Sequence, residues 1–285
     1  MEKLLLVDGS NLLFQMFYGM PARITGAQGQ AIQGTLGFVG ALLKVIRRLQ
    51  PTHVAVLFDG ETENPRRLLD ADYKANRPDY SQLPEEDTPF SQLPDIYAAL
   101  DHLGICHRET VDCEADDWIA GYARQYGTDR EVVILSQDSD FFQLITQRVS
   151  VYRYRGDRSV LCDSAYITEK LGVDPAQYAA FKSLTGDSAD NIAGVPGIGP
   201  KTAAALLREY GDLDTLLQQA DTIGKPALRA TVQAGVQRIL HNHQLIVLRG
   251  AECLPFTMDA LSFTDAGVTT TQVLLAIGLK KDPYA

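Results

Sequence analysis

Apolar residues recur along this chain in two alternating patterns. Residues 3–7 (KLLLV), 53–58 (HVAVLF) and 131–135 (EVVIL) are short, partly β-branched runs bounded by polar or turn residues. Such runs mark strands buried on both faces of a parallel sheet. Between them, 36–49 (LGFVGALLKVIRRL) and 92–103 (QLPDIYAALDHL) carry apolar residues at helical spacing. Strands alternating with helices predict an α/β, doubly wound, Rossmann-like core. Two stretches depart from this pattern. Residues 60–90 are polar, hold Pro65, Pro78, Pro84 and Pro89, and carry the basic cluster Arg66, Arg67, Lys74 and Arg77. An excursion this long from a compact core is functional or mobile, and its polarity predicts that it does not pack as core. Residues 175–250 read as mostly helical around GVPGIGPKTAAALLREYG (194–211), and 272–285 as a short helix and tail. The expected organisation is an α/β unit over 1–174, with an insertion at about 60–90, followed by a helical unit over 175–285.

The ends of the predicted strands are acidic. Asp8 closes the first run, Asp59 follows the second, and Asp138 and Asp140 follow the third. In open parallel sheets, sites form outside the carboxyl ends of the strands, so separate strands deliver carboxylates to one edge. Glu114, Asp116 and Asp117 cluster at a helix start (CEADDWIAGYA), and Asp187 and Asp190 occur in TGDSADN. Spacing of i, i+3 puts Asp187 with Asp190, and Glu114 with Asp117, on one helix face. Asp116 joins them only if the site lies at the N-terminal edge of its helix. Mg²⁺ takes oxygen ligands, and two such ions about 4 Å apart clamp a scissile phosphate. Any one of these acids is better read as a helix cap or a solvated charge; five clusters together are not.

Composition changes this picture in one respect. The 285-residue chain carries a net charge of −10, and its pI is near 5.0. Taken alone, that argues against nucleic acid, whose binders carry basic patches. Carboxylates gathered around bound cations would invert the local sign. At 45% hydrophobic and 22% charged residues, the chain has the composition of a soluble globular protein. No stretch approaches a membrane span, and the apolar run at Leu4–Val7 is too short for a signal peptide; a cytoplasmic location is expected. Cys106, Cys113, Cys162 and Cys253 show no CxxC spacing, so free thiols rather than a zinc site are expected. The five histidines form no metal-ligand pattern, and His241 and His243 read as helix surface.

Three further motifs bear on nucleic acid. GVPGIGPK (194–201) resembles a helix–hairpin–helix turn: Gly197 and Gly199 allow a tight turn with exposed amides. The helix start at Pro200, Lys201 and Thr202 then presents a positive dipole end to a phosphate, without reading bases. Lys74 and Arg77, in YKANR, could stabilise and grip a phosphate beside metals. Phe14, six residues past Asp8, could stack on an unpaired terminal base, or simply pack its helix.

Taken in order, VDGSN at the start, FDG at 58–60, YKANRP at 73–78, EADD at 114–117, DSDFFQL at 138–144 and TGDSADNIAGVPGIGPKTA at 185–203 resemble the motifs of the bacterial 5′-nuclease (flap endonuclease) family. That family includes the N-terminal domain of DNA polymerase I and stand-alone flap endonucleases, and the resemblance spans roughly residues 3 to 250. It implies a PIN-like nuclease core and a monomeric, structure-specific phosphodiesterase acting on DNA with a 5′ flap or 5′ end. It also implies two or more Mg²⁺, with Mn²⁺ able to substitute. Asp8, Asp59, Glu114 and Asp116 would form a first metal group. Asp138, Asp140, Asp187 and Asp190 would form a second, with Asp116 between them and Asp117 as an accessory acid. Lys74 and Arg77 match basic residues of an arch over the site. The hairpin would hold duplex DNA, and its main-chain carbonyls near Ile192, Val195 and Ile198 would bind K⁺. Two features depart from the family pattern. Gln15 stands where many bacterial members have arginine, which bears on the grip near Phe14, and 79–91 (DYSQLPEEDTPFS) is acidic where a positive arch is expected. A chain running from Met1 to its own terminal helix and tail favours a stand-alone nuclease over an isolated nuclease domain. The competing functions are a PIN-like ribonuclease, which the hairpin disfavours, and a non-catalytic binder of DNA structures, which the complete acid set disfavours.

Overall fold

The apolar runs assemble into one six-stranded sheet. The computed structural model describes residues 2–20, 22–60, 65–251 and 253–281. The strands are β1 (Lys3–Asp8), β2 (His53–Phe58), β3 (Cys106–Glu109), β4 (Glu131–Leu135), β5 (Val149–Arg153) and β6 (Val160–Cys162). Their order is β3-β2-β1-β4-β5-β6, parallel throughout except for the antiparallel β5–β6 pair. The order turns back between β1 and β4, the place where an open α/β sheet parts to form a crevice. Register aligns the ends: Asp8 lies opposite Leu57, and Val7 opposite Leu135. Residues following β1, β2 and β4 therefore emerge along one edge.

Alternation within β1 explains why the sheet is covered on both sides. Leu5 and Val7 join Phe38, Leu42, Val54, Val56 and Ile96 on one face. That face is covered by α1 (Gly9–Gly19), α2 (Gln33–Leu49) and, after the short α3 (Pro65–Leu69), by α4 (Leu93–His102). Leu4 and Leu6 join Ile119, Tyr122, Ile134 and Phe141 on the other, under α5 (Ala115–Tyr126) and α6 (Ser164–Leu171). The helix expected over 36–49 starts at Gln33 because Thr35 is buried and donates its N–H to Gln92 Oε1 at 2.9 Å.

A second apolar cluster, including Phe181, Leu184, Val195, Ile198, Leu207, Leu216 and Ile239, gathers the helical region. It contains α7 (Tyr178–Thr185), the two-residue strands β7 (Gly186–Asp187) and β8 (Ile192–Ala193), α8 (Pro200–Tyr210), α9 (Leu213–Gln218) and the long α10 (Pro226–Ile246). Beyond α10 the chain turns back to the sheet: Leu248, Met258 and Leu261 join the first core. Val273 of α11 (Thr270–Ala276) packs on Val39 and Leu43. The expected tail at 282–285 lies outside the described residues, as do residues 61–64 of the expected insertion.

The remainder of that insertion departs from the expectation at Arg66, Tyr73 and Lys74, which are buried, while most residues from Ala75 to Asp87 are exposed as expected. Polarity misled because the cations are buried against carboxylates rather than against apolar groups. The segment is also pinned from outside. Asn76 Nδ2 donates to Ser188 O at 2.9 Å, Asn191 Nδ2 donates to Asp72 O at 2.8 Å, and His241 Nε2 lies 2.7 Å from Asp70 Oδ2. His241, read as plain helix surface, is thus a brace. Among the described residues all four cysteines are free thiols, and no helix is long and apolar enough to cross a membrane.

Gly60 directs the chain out of the sheet beside Asp59. Its N–H donates to Thr110 Oγ1 at 3.0 Å, and a Cβ placed there would lie 1.9 Å from Thr110 O. Gly60→Ala is expected to destabilise the fold by about 1–3 kcal/mol through overpacking. Urea denaturation checks this, and an unchanged midpoint would show that the Thr110 strand end yields freely.

Candidate metal centre

The carboxyl edge of the sheet carries the acids, and the local structure shows how each is held. Asp8 caps α1, accepting Asn11 N–H through Oδ1 at 3.0 Å, and accepts Ser136 Oγ–H through Oδ2 at 2.7 Å. Asp59 follows β2 and accepts Ala115 N–H at 2.9 Å, so it caps α5 from a neighbouring strand. Glu114 precedes that helix and Asp116 lies in its first turn. After β4, Asp138 Oδ1 accepts Asp140 N–H at 2.8 Å, curling the loop so that both acids face inward. Asp187 and Asp190 flank the β7–β8 turn rather than sharing a helix face, because α7 ends at Thr185. Asp187 Oδ1 accepts Ala189 N–H at 2.9 Å.

Crowding shows in the electrostatics. Burial first, then the charge of Asp59, pushes the Asp8 carboxyl up to about 7, against the pull of the Ser136 hydroxyl. Burial, then Asp8, with Asp138 and Asp59 adding, pushes Asp116 well above the carboxylate range, although Lys74 opposes them. Burial followed by Asp138, Asp190 and Asp187 does the same to Asp140. Burial raises Asp138 too, with Asp190 adding to it. Asp8 and Asp116 each sense the charges of Asp59 and Asp138, and Asp138 and Asp140 each sense those of Asp187 and Asp190.

Internal cations answer part of this charge. Glu114 is hydrogen-bonded by both Lys74 Nζ and Arg66 Nη1. Burial works to lower the Lys74 ammonium, but Glu114, Tyr73 and Asp190 outweigh it and hold the group well above its usual range. Lys74 itself adopts φ +56°, and its N–H donates to Asp190 O at 3.0 Å. Arg77, half-exposed, reaches Asp190 Oδ1 at 3.1 Å, and Lys182 reaches Asp187 Oδ2 at 2.6 Å. Lys182 had no signal in the sequence, since an i, i+5 pair along a helix end is not a recognised pattern.

Arg66 stood out in the sequence only as one member of the basic cluster, with no role of its own. It forks onto Asp117, with Nη1 to Oδ2 at 3.1 Å and Nη2 to Oδ1 at 3.0 Å. Its Nε donates to Leu245 O at 3.0 Å. One guanidinium thus joins α3, the start of α5 and the end of α10. Asp117, expected as an accessory acid of the metal group, spends its carboxylate on this fork and accepts Arg249 N–H at 3.2 Å. Its position at i+3 from Glu114 sets both acids around Arg66.

An oxygen-only donor set of this density suits a hard divalent cation. Asp140 Oδ1 is buried without a hydrogen-bond partner, as an oxygen kept for an ion would be. As the side chains stand, no three carboxylate, imidazole or thiol groups among the described residues close on one point; Glu114, Asp187 and Asp190 are drawn to Lys74, Lys182 and Arg77 instead.

The remaining predicted residues fall on two surfaces. Gly197, Gly199 and Lys201 are exposed and Thr202 is half-buried at the start of α8, with Gly197 at φ +87°. The turn is stiff, because Val195 N–H donates to Leu184 O at 2.9 Å and Ile198 N–H to Val195 O at 3.0 Å. The side chains of Ile192, Val195 and Ile198 are buried beneath it. Asn242 of α10, absent from the sequence reading, ties it down by donating to Ser183 O at 3.0 Å and Ala193 O at 2.9 Å. Phe14 lies among Tyr18, Tyr80 and Phe90, its ring centroid 5.7 Å from Tyr80 and 5.5 Å from Phe90. Gln15 donates to Tyr154 O at 2.7 Å.

Comparison with known proteins accounts for this arrangement. Residues 3–172 match the model of the 5′-3′ exonuclease N-terminal resolvase-like domain, and 173–268 match the 5′-3′ exonuclease C-terminal SAM fold. The chain belongs to the 5′-3′ exonuclease family. It is 39% identical over 268 residues to DNA polymerase I of Rhizobium leguminosarum, a match that takes in 91% of this chain and 26% of the polymerase. The chain thus spans about a quarter of the length of that curated relative. Among solved structures it is similar to the bacteriophage T5 5′-exonuclease with bound zinc, at TM-score 0.70 and 25% identity over 87% of this chain and 90% of that one. It is also similar to the T5 flap endonuclease in a pseudo-enzyme-product complex with DNA and metal ions, at TM-score 0.69 and 25% identity over 87% and 89%. The fold is the mostly parallel, resolvase-like (PIN-like) α/β core with a helical SAM-like region, as expected from the sequence.

Arg66→Ala would strand Asp117 and half of the Glu114 pairing in a buried position. It is expected to cost about 3–5 kcal/mol of stability, as breaking a buried ion pair does. Chemical denaturation is the check; a loss below about 1 kcal/mol would mean that the fork contributes little.

Proposed function

We propose that this chain is a structure-specific 5′ nuclease, a 5′-3′ exonuclease and flap endonuclease that hydrolyses DNA phosphodiester bonds with two divalent cations. The observation that carries this reading is the meeting at one sheet edge of acids from β1, β2, the α5 start, the β4 loop and the β7–β8 turn, around the buried Lys74. Asp8, Asp59, Glu114 and Asp116 would hold one Mg²⁺. Asp138, Asp140, Asp187 and Asp190 would hold another, with Asp116 between, and Mn²⁺ would serve in place of Mg²⁺. Bound there, the ions supply an activated water and neutralise charge on the scissile phosphate. Asp117 acts at one remove, by holding Arg66 against Glu114.

The chain's own residues perform the remaining tasks. Lys74 donates to a non-bridging phosphate oxygen, where charge develops. Arg77, half-exposed, grips the adjacent phosphate. The exposed amides of Gly197 and Gly199, with Lys201 and Thr202, hold duplex backbone at a helix N-terminus, and carbonyls of Ile192, Val195 and Ile198 take K⁺. Phe14 offers a ring to an unpaired base. DNA with a 5′ flap or free 5′ end is the substrate, the protein acts as a monomer, and its place is the cytoplasm.

Cleavage of a labelled 5′-flap DNA with Mg²⁺, beside the same structure in RNA, tests the reading. Asp138→Ala and Asp187→Ala are expected to abolish cleavage while leaving flap affinity within about threefold, since the hairpin still holds phosphate. Affinity lost in parallel with activity would make these acids structural, and preferential cleavage of the RNA would favour a ribonuclease. Lys74→Ala is expected to lower the single-turnover rate roughly 100-fold or more, the effect of removing one donor to a charged transition state, with affinity little changed. Cleavage by that variant at the normal rate would remove Lys74 from the chemistry.

A further inference from the structure

One basic element remains outside the machinery described above. The loop between β5 and β6, Tyr154–Ser159, carries Arg155 and Arg158, both exposed, and follows Arg153. It is a closed turn: Arg155 N–H donates to Ser159 Oγ at 2.8 Å, and Arg158 N–H to Arg155 O at 3.2 Å. Gly156 supplies φ +60°. The turn is also docked. Tyr154 O accepts both Gln15 Nε2 at 2.7 Å and Gln137 Nε2 at 2.8 Å. Arg155 Nε donates to Gln137 Oε1 at 3.1 Å, and Gln137 N–H donates to Asn11 Oδ1 at 2.9 Å. Gln137 immediately precedes Asp138, so the hairpin is fixed beside the acid centre.

Charge distinguishes this hairpin from the rest of the site. Lys74, Arg66, Lys182 and Arg77 are each taken up by an internal carboxylate. Arg155 and Arg158 have no ion-pair partner among the described residues; both are exposed, and Arg155 is held by Gln137 beside the cluster of acids. An arginine so placed offers its fork to a phosphate. Along α1, Asn11, Gln15 and Tyr18 share one face by helical spacing. The basic turn sits at Gln15, and the aromatic group of Phe14, Tyr18, Tyr80 and Phe90 sits beside it. Tyr18 and Phe90 are exposed. Cations that track a backbone next to rings that accept bases form the recognition pattern of an unpaired strand; a duplex keeps its bases stacked inside.

We propose that the β5–β6 hairpin is a phosphate-binding ledge, with Arg155 and Arg158 gripping the backbone of an unpaired DNA strand that passes along α1 beside the acid centre. The proposal rests on the nuclease reading. It also explains how the chain holds that strand with Gln15, a neutral side chain, on α1: Gln15 anchors the hairpin whose arginines supply the charge.

The test uses the full chain with Ca²⁺ in place of Mg²⁺ and fluorescence anisotropy at several salt concentrations. The probes are a 5′-flap DNA with an oligo-dT flap and the same nicked duplex without a flap. The double variant Arg155→Ala/Arg158→Ala is expected to bind the flap DNA roughly tenfold more weakly, with a salt slope flatter by about 1.4, two single-strand contacts at about 0.7 each. Affinity for the flapless duplex should stay within about twofold. Arg155→Lys/Arg158→Lys should recover most of the loss, and thermal melting of both variants should match the parent. Flap affinity and salt slope unchanged in the alanine variant would overturn the hairpin proposal while leaving the nuclease reading intact. An equal loss on both probes would also overturn it, placing the arginines on duplex. Failure of the unmodified chain to bind or cut any DNA would instead overturn the nuclease reading, and this proposal with it.

Discussion

The arrangement depends above all on the pairing of Glu114 with two buried cations. Arg66 and Lys74 reach the same carboxylate from opposite ends of a polar segment. A lone charge in that position would carry a desolvation cost that no apolar neighbour could offset. Paired, the three groups let a hydrophilic stretch of chain cross the carboxyl edge of a sheet and remain buried. Asp117 completes the fork of Arg66, while Leu245 O and Val247 O bring in the end of α10. The contacts around Glu114 therefore also tie the helical region to the strand ends.

That pairing leaves a surplus of acid. Asp8 and Asp116 meet Asp138, and Asp138 meets Asp140, with burial and mutual repulsion acting together. A fold selected only for stability would replace several of them. Their presence together is the pattern expected where function is held at the expense of local stability. This surplus accounts for part of the net charge of −10, while Arg155 and Arg158 of the β5–β6 turn and Lys201 of α8 are exposed.

The reading of the acids as helix caps holds for two of them, and it does not compete with a role as ligands. Asp8 is an N-cap, and Asp59 satisfies the first amide of α5. Capping engages one carboxylate oxygen and so fixes the rotamer that aims the group at the sheet edge, and at Asp8 the Ser136 hydroxyl orients the second oxygen as well. A cap is therefore a means of building such a site, and the distinction drawn from sequence between cap and ligand is not an exclusive one.

The sequence by itself determined the three central strands of the sheet, β2, β1 and β4, and most of the edge on which they end. Runs such as KLLLV and HVAVLF can only be strands buried on both faces, and the acid following each run is carried to the edge by the period-two geometry of a strand. The glycine-rich turn before α8 was legible for a similar reason, since backbone conformation there is imposed locally by Gly197 and Pro200. What only the tertiary structure decided is which charges meet. Arg66 and Asp117 lie 51 residues apart, and Gln15 and Tyr154 lie 139 apart. No local rule links residues so distant, because the energy of a buried ion pair or of a docked carbonyl exists only once packing has excluded water between them. For the same reason polarity misjudged Arg66 and Lys74: a sequence records that a side chain is charged, whereas its burial depends on a partner supplied by another part of the fold.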